Sequence, residues 1–276
     1  MLSAGPRLWQ NPRVDRERGD VPSVPKIVLV GILGGLLAGM FGVGGGIVMV
    51  PLFVFLLGLD QRTAVTTSLL AIIPISALGT LGYATGGAVA WTEAIVIGLG
   101  SVVGGQVGVR LLHRIPVPAL QLAFAALLFF SAYRLVLPST AEQSAGGGPQ
   151  WILLVALGIA AGMLAGLLGV GGGIVIVPGL VLLAGVGLDV ARGTSLLVVL
   201  FTAVTASITT VRSGQTATRV GLWAGLAGAP ASFAAAGLAQ WIPERQAAIL
   251  FAGLMVLAGV QLIRRALAAR TDPDVG

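Results

Sequence analysis

Two glycine-rich segments are the residues of this chain whose spacing is most suggestive of chemistry. Both read Gly-Val-Gly-Gly-Gly, at residues 42–46 and 169–173, and each is followed five residues later by a proline, Pro51 or Pro178. A helix that restarts after such a segment has backbone N–H groups without an intrahelical acceptor, and the positive end of its dipole lies behind them. Such a helix start binds anions without any charged side chain. We call these segments the first elbow (42–46) and the second elbow (169–173).

The sequence therefore predicts an anion site made of elbow glycines and nearby hydroxyls. The alternative is that the glycines only kink the helices for packing, although a kink rarely needs three consecutive glycines and a later proline. Two Thr-Ser pairs follow the elbows, and their hydroxyls would either donate to an oxyanion or bond to carbonyls of their own helices. The predicted substrate-binding residues are Gly42, Gly44, Gly45, Gly46, Thr67, Ser68, Gly169, Gly171, Gly172, Gly173, Thr194 and Ser195.

Other kinds of chemistry find little support. The chain has no cysteine and one histidine, and it lacks H-E-x-x-H and G-x-S-x-G motifs, so we expect no enzyme activity, metal site or cofactor. The elbows fit neither the P-loop nor the Rossmann pattern, which argues against nucleotide binding. Arg62 and Arg192 are expected to form ordinary interfacial ion pairs with nearby Asp60 and Asp189.

The composition predicts a membrane protein. Of the 276 residues, 56% are hydrophobic and 9% are charged, whereas a soluble domain carries roughly 25% charged residues. The net charge of +6 is interpreted as the arginine excess that orients a membrane protein rather than as a nucleic-acid surface. Eight apolar segments are long enough to cross a bilayer: 26–57, 63–85, 91–112, 117–137, 151–183, 190–211, 218–241 and 246–263.

The two halves of the chain are related by an internal duplication. When Gly39 is aligned with Gly166, 10 of 13 positions agree between 39–51 and 166–178, and at the same constant offset the Thr-Ser-Leu-Leu of 67–70 recurs at 194–197. The predicted fold is therefore an all-α polytopic membrane protein of about eight transmembrane helices in two homologous four-segment repeats. The predicted boundaries are a polar N-terminal tail 1–25, repeat 1 at 26–137, a linker 138–150, repeat 2 at 151–265 and a C-terminal tail 266–276.

The first and fifth segments are too long for one straight span, and the elbows are expected to break them. If the segments cross the bilayer eight times, the repeats run parallel, and 11 of the 16 lysines and arginines lie on the side of both termini. That side would be cytoplasmic. If the elbows make their segments re-entrant, the repeats are inverted instead. The sequence leaves both arrangements open.

The chain also resembles a known family. The repeated F/L-G-V-G-G-G-x-x-x-V-P, the later Thr-Ser-Leu and the Gly-Gly-x-x-x-Trp of 86–91 are similar to the sulfite exporter TauE/SafE family of membrane transporters. The resemblance covers residues from about 26 to 265, and it implies a bacterial inner-membrane permease for sulfur-containing anions such as sulfite and organosulfonates. It points to the elbow glycines, with Pro51 and Pro178 as structural residues. The second half departs from the pattern after Gly214, where 215–219 replaces the Trp91 turn.

These observations predict a secondary transporter of a small sulfur-containing oxyanion, with the lipid bilayer as its environment and no nucleic-acid partner. The location would be the inner membrane, with both termini cytoplasmic. Two alternatives remain, a passive anion channel and a non-transporting membrane scaffold or assembly factor. The particular anion, the direction of transport, the coupling ion and the oligomeric state stay open.

Overall fold

The computed structural model describes residues 23–111, 122, 125–126, 128–130, 132–133, 151–168, 171–212, 214 and 216–271. Within these ranges the regular structure is entirely helical, and five helices are long and apolar enough to cross a membrane. The longer elements are α1 (Val24–Phe41), α2 (Gly46–Leu57), α3 (Gln61–Ala84), α4 (Trp91–Leu111), α5 (Trp151–Leu168), α6 (Gly173–Gly179), a π-helical turn (Leu180–Ala184), α7 (Leu188–Arg212), α8 (Thr218–Ala239) and α9 (Glu244–Thr271).

The helix bounds follow the apolar segments of the sequence with small shifts. The first helix begins at Val24, inside the predicted tail, and α9 runs to Thr271, beyond the predicted end of the second repeat. Asp60 lies just before α3 and accepts a hydrogen bond from the Thr63 N–H at 3.0 Å, which caps the helix. Slight burial raises the pKa of Asp60, but hydrogen bonds from Thr63 and Arg62 outweigh it and hold the pKa below its usual value. The fourth predicted segment and the linker lie mostly outside the described residues.

Both long segments are broken at their glycines. The first helix ends at Phe41, and Gly42, Gly44 and Gly45 have φ of 73°, 81° and 78° before α2 begins. This left-handed region costs a residue with a Cβ about 1–2 kcal/mol. The glycines adopt it without that cost, and the helix ends where they begin. In the second elbow, Gly171 and Gly172 have φ of 80° and 76°.

Pro51 and Pro178 both lie inside the helix that follows the break, in α2 and α6 respectively. In the second half, the α-helical hydrogen bonding gives way to the π-helical turn directly after the residue that follows Pro178. A proline inside a helix removes one hydrogen bond and crowds the preceding turn. In the first half, α2 continues past Pro51 to Leu57 and ends at Gly58, which has φ of 65°.

The first helix runs parallel to α8. Along their interface, Gly31 contacts the carbonyl of Ala224 and Gly39 contacts the carbonyl of Ser232, so residue numbers rise together in the two helices. Glycines at 31, 35 and 39 repeat every four residues on one face of α1, and this allows the backbones to approach closely. The third helix runs in the same direction, because Gly221 packs against Thr67 and Gly82 packs against Ala236.

The chain must therefore turn back between α1 and α3. Both helices run parallel to α8, so the second arm α2 has to return toward the side on which α1 began. In agreement, Gly34 in the middle of α1 contacts both Gly45 and the Met49 side chain of α2. The first broken segment is thus a hairpin of two helices rather than a kinked span.

Equivalent helices of the two halves run in opposite directions. The third and seventh helices carry the repeated Thr-Ser-Leu-Leu, yet Tyr83 near the end of α3 packs against Gly193 near the start of α7. Earlier in α3, Gly79 packs against Leu196, so residue numbers rise in one helix as they fall in the other. An antiparallel pairing of these two helices is what the inverted alternative predicts.

Candidate functional site

The two elbows meet each other. A Cβ atom placed on Gly173 would lie 2.8 Å from the carbonyl oxygen of Gly42 and 2.8 Å from the Cα of Val43. Glycine at position 173 is therefore required for the backbones of the two elbows to touch. Since Gly42 and Gly173 belong to different halves of the sequence, only the tertiary fold brings them together.

One side chain of α7 contacts both elbows. The Cγ1 atom of Val199 lies 2.7 Å from the Cβ position of Gly44 and 2.8 Å from that of Gly171. Val199 is fully buried and is the twelfth of the 25 residues of α7, so the elbows meet near the middle of that helix. Ile72, the counterpart of Val199 in α3, lies 3.5 Å from the Gly44 position.

Each elbow also packs against the helix that precedes it in the chain, which we call its first arm. Gly45 contacts the carbonyl oxygen of Gly34, and a Cβ on Gly172 would lie 2.6 Å from the carbonyl oxygen of Ala161. Gly34 and Ala161 occupy equivalent positions of the two repeats, as do Gly45 and Gly172, so the two contacts are equivalent. Both require a residue that tolerates positive φ and carries no side chain.

The start of α2 presents unpaired backbone donors. The N–H groups of Val48 and Met49 bond the Gly45 carbonyl at 3.2 Å and 3.0 Å, whereas those of Gly46 and Ile47 have no acceptor among the described residues. These two groups, with the helix dipole behind them, are the donors that the sequence predicted. The start of α6 repeats the pattern at Gly172, but that α-helical arm has only 7 residues.

The hydroxyls of α7 contact the second elbow. Ser195 Oγ lies 3.4 Å from the Gly173 carbonyl, and Thr202 Oγ1 lies 3.4 Å from the Gly171 carbonyl. The shortest contact of the Thr202 hydroxyl is with the Val199 carbonyl of its own helix, at 2.9 Å. Ser195 was among the predicted site residues, and Thr202 was not. The feature that could have identified Thr202 in the sequence is a hydroxyl residue one turn from the middle of an apolar helix.

Two of the predicted hydroxyls join the halves of the protein. Thr67 Oγ1 accepts a hydrogen bond from the Ala217 N–H at 3.1 Å, and Thr194 Oγ1 accepts one from the Ala90 N–H at 2.9 Å. Each alanine directly precedes a helix, α8 or α4, in the opposite half. The two bonds are equivalent, because the duplication aligns Thr67 with Thr194 and Ala90 with Ala217. Ser68, the fourth predicted hydroxyl, donates to the Val65 carbonyl at 2.8 Å.

Replacing either threonine by valine is expected to lower the free energy of unfolding by about 1–3 kcal/mol, because a partly buried backbone N–H would lose its acceptor. Melting temperatures of purified Thr67→Val and Thr194→Val measure the effect. Thr205→Val is the matched control, since its exposed hydroxyl bonds only within its own helix. If all three variants melt alike, these bonds do not hold the halves together.

The expected ion pair of Arg192 with Asp189 is present, but the arginine is buried. Arg192 is only 1% exposed, although its partner Asp189, at 3.1 Å, is 42% exposed. A second guanidinium nitrogen donates to the Ala247 carbonyl at 3.4 Å, and Nε has no acceptor among the described residues. A Cβ on Gly42 would lie 2.6 Å from the Arg192 Cα, so the backbone of Arg192 adjoins the first residue of the first elbow. Sequence reasoning missed its burial because the residue stands next to a carboxylate near a helix start.

One predicted binding residue, Gly169, lies outside the described residues. Among the residues that the structure describes, no group of three or more His, Cys, Asp or Glu side chains is placed to hold a metal ion.

Comparisons with known proteins indicate a membrane transporter. The family described as sulfite exporter TauE/SafE matches residues 1–135 and 149–275. The chain is 27% identical to the probable membrane transporter protein YunE of Bacillus subtilis, over 68% of this chain and 78% of the relative. It is 29% identical to the probable membrane transporter protein YdhB of the same species, over 68% and 79%, and 28% identical to the probable membrane transporter protein MJ0441 of Methanocaldococcus jannaschii, over 56% and 60%. No solved structure matches the chain. The chain therefore belongs to the sulfite exporter TauE/SafE family, a family of membrane transporters.

Proposed function

We propose that this protein is a secondary membrane transporter for a small sulfur-containing oxyanion such as sulfite or an organosulfonate. The observation that carries the proposal is the meeting of the two elbows, with Gly173 against Gly42, near the middle of α7. Broken helices that meet at the midplane, at the interface of two repeats, are the usual binding site of secondary transporters. A transporter role agrees with the expectation that the chain is not an enzyme.

The proposed architecture has eight apolar segments in two inverted repeats of four, with the first and fifth segments re-entrant. The antiparallel pairing of α3 with α7 and the return of α2 along α1 support it. This arrangement requires one more crossing between α4 and α5, and the sequence predicts it at 117–137. Of the 16 lysines and arginines, only Arg134, Arg192 and Arg245 then fall on the face opposite the start of α1.

The remaining 13 basic residues support a cytoplasmic location for that face and for both termini, by the positive-inside rule. This separation is sharper than the 11 to 5 division that eight simple crossings would give. The protein would then be a multi-pass protein of the inner membrane. Opposite rocking of the two repeats about the elbows would expose the site to each side in turn.

The nature of the cargo follows from the donors. The unpaired N–H groups at the start of α2 would donate to the oxygens of an anion, and a buried hydroxyl whose proton is not already given to a carbonyl could add a further donor. The description of the family supports sulfite as the first compound to test. Sulfonates share with sulfite a sulfur atom that carries three oxygen atoms in a pyramid.

The test combines binding with flux. Purified protein is heated with sulfite, sulfate, thiosulfate, sulfoacetate, taurine or an uncharged control, and the shift in melting temperature is measured. An anion at 100 times its Kd stabilises the fold by about 2.7 kcal/mol. We expect a shift with sulfite or a sulfonate and none with the uncharged control. No shift with any anion, in protein that unfolds cooperatively, would contradict the proposal.

Flux into proteoliposomes separates carrier from channel and scaffold. A carrier is expected to show saturable uptake of the stabilising anion and acceleration by the same anion on the opposite side. Currents that rise linearly with voltage would instead support a channel. Binding without flux in either direction would favour the scaffold.

A further inference from the structure

The two elbows differ in one pair of positions on the helices that face them. Ile75 and Ser76 of α3 correspond, in the duplication, to Thr202 and Ala203 of α7. In α7 the hydroxyl stands at the first position, where it reaches the Gly171 carbonyl of the second elbow. In α3 the hydroxyl stands at the second position. The two halves therefore place a hydroxyl at different positions, shifted by one residue, on the helix that faces each elbow.

Ser76 is a buried donor without a partner among the described residues. The side chain is fully buried, its Oγ makes no hydrogen bond within that part of the chain, and Oγ lies 3.8 Å from the Cβ position of Gly44 in the first elbow. A hydroxyl that is buried and unpaired destabilises the fold, and a serine in a helix can normally avoid this by bonding a carbonyl one turn earlier. Ser76 thus keeps an open donor beside the elbow at a cost to the fold.

Two further buried hydroxyls, one on α3 and one on α8, also lack a partner among the described residues. Thr80, one turn later in α3, is 5% exposed, and Ser232 of α8 is fully buried; neither hydroxyl has a partner in the described ranges. Ser232 Oγ lies 2.5 Å from the Cβ position of Gly79, between Ser76 and Thr80 in sequence. Hydroxyls without a partner in the described ranges therefore stand at two successive turns of α3, and a third faces α3 from α8.

We infer that the first elbow is the substrate-binding elbow, with Ser76 as a direct donor to the oxyanion, and that the second elbow is a brace. The donors of the first elbow are the N–H groups of Gly46 and Ile47 together with the Ser76 hydroxyl. The second elbow has hydroxyls of Ser195 and Thr202 against its carbonyl groups, which hold its shape. This inference rests on the proposed function and assigns unequal roles to the two copies.

The experiment measures anion affinity and melting temperature in the same variants. Ser76→Ala is expected to weaken binding of the anion that stabilises the wild type by about ten- to a hundredfold, the worth of a hydrogen bond to a charged group. In the absence of the anion, Ser76→Ala should melt at the same temperature as the wild type or higher, because an unpaired buried hydroxyl is removed. Ser76→Cys, a weaker donor, should be intermediate in affinity.

Two comparison variants sharpen the result. Ser101→Ala removes another fully buried serine, one that bonds the Gly98 carbonyl at 2.8 Å in α4, and it should leave the affinity unchanged. Thr202→Val should lower the melting temperature and change the affinity by less than threefold. The opposite pattern, with Thr202→Val losing affinity and Ser76→Ala retaining it, would overturn the inference.

The outcomes also separate this inference from the proposed function. If the wild type binds an anion and Ser76→Ala binds it equally well, the unequal roles are wrong while the anion site stands. If the wild type binds none of the anions, the proposed function itself fails and Ser76 is not a donor to an oxyanion substrate. Reduced affinity together with a lower melting temperature in the unliganded Ser76→Ala protein would also overturn the assignment, because it would indicate a structural role.

Discussion

Replacing Gly45 by alanine is expected to lower the free energy of unfolding by about 2–6 kcal/mol and to abolish transport. The backbone at Gly45 has φ of 78°, which costs a residue with a Cβ about 1–3 kcal/mol. The new methyl group would also overlap the Gly34 carbonyl oxygen. Overpacking of this kind costs about 1–3 kcal/mol more, and relief would move the elbow away from α1.

Gly58 provides a control that isolates the close contact. It has φ of 65°, but a Cβ placed on it would meet no atom within 4 Å. Gly58→Ala should therefore suffer only the backbone cost and retain transport. The same comparison is available in the second half with Gly172 and Gly185, whose φ values are 76° and 64°.

Melting temperature and proteoliposome flux are measured for all four variants. If Gly45→Ala and Gly58→Ala lose equal stability, the approach of the elbow to its own first arm contributes nothing beyond backbone strain. If Gly45→Ala transports normally, the shape of the elbow is not needed for function. Either result would contradict the prediction.

Removing the carboxylate of Asp189 is expected to destabilise the protein by about 3 kcal/mol. The guanidinium of Arg192 would keep one acceptor, the Ala247 carbonyl at 3.4 Å, while remaining 1% exposed. Breaking a buried ion pair typically costs about 3–5 kcal/mol, because the remaining charge is buried without compensation. We use the lower end of this range because one partner of the pair, Asp189, is 42% exposed.

A double variant tests whether the uncompensated charge causes the loss. Asp189→Ala with Arg192→Met removes both charges, and it should recover at least half of the stability lost in Asp189→Ala alone. Arg62→Met serves as the control, since Arg62 is exposed and its loss should have little effect. Equal melting temperatures for Asp189→Ala and the double variant would show that the loss arises from something other than the buried guanidinium.

The sequence by itself determined those features that depend on local composition and on the chain's likeness to itself. Long apolar segments with few charges indicated membrane helices, since a bilayer admits only backbone that bonds within itself. Consecutive glycines indicated the helix breaks, because glycine weakens a helix by about 1 kcal/mol per residue and tolerates positive φ. The duplicated motif also pointed to the family, which the comparison confirmed.

Only the tertiary structure decided how the chain runs after each break and which distant residues then meet. Hydropathy is the same for a kinked span and a hairpin, so the sequence left the direction of α2 open; the packing of α1 and α3 along α8 fixes it. The same choice sets α3 antiparallel to α7, brings Gly173 against Gly42 and places Thr67 against Ala217. Burial of Arg192 likewise depends on the elbow and α9 that cover it. Such contacts join positions far apart in the chain, often in opposite halves, and no local propensity encodes them.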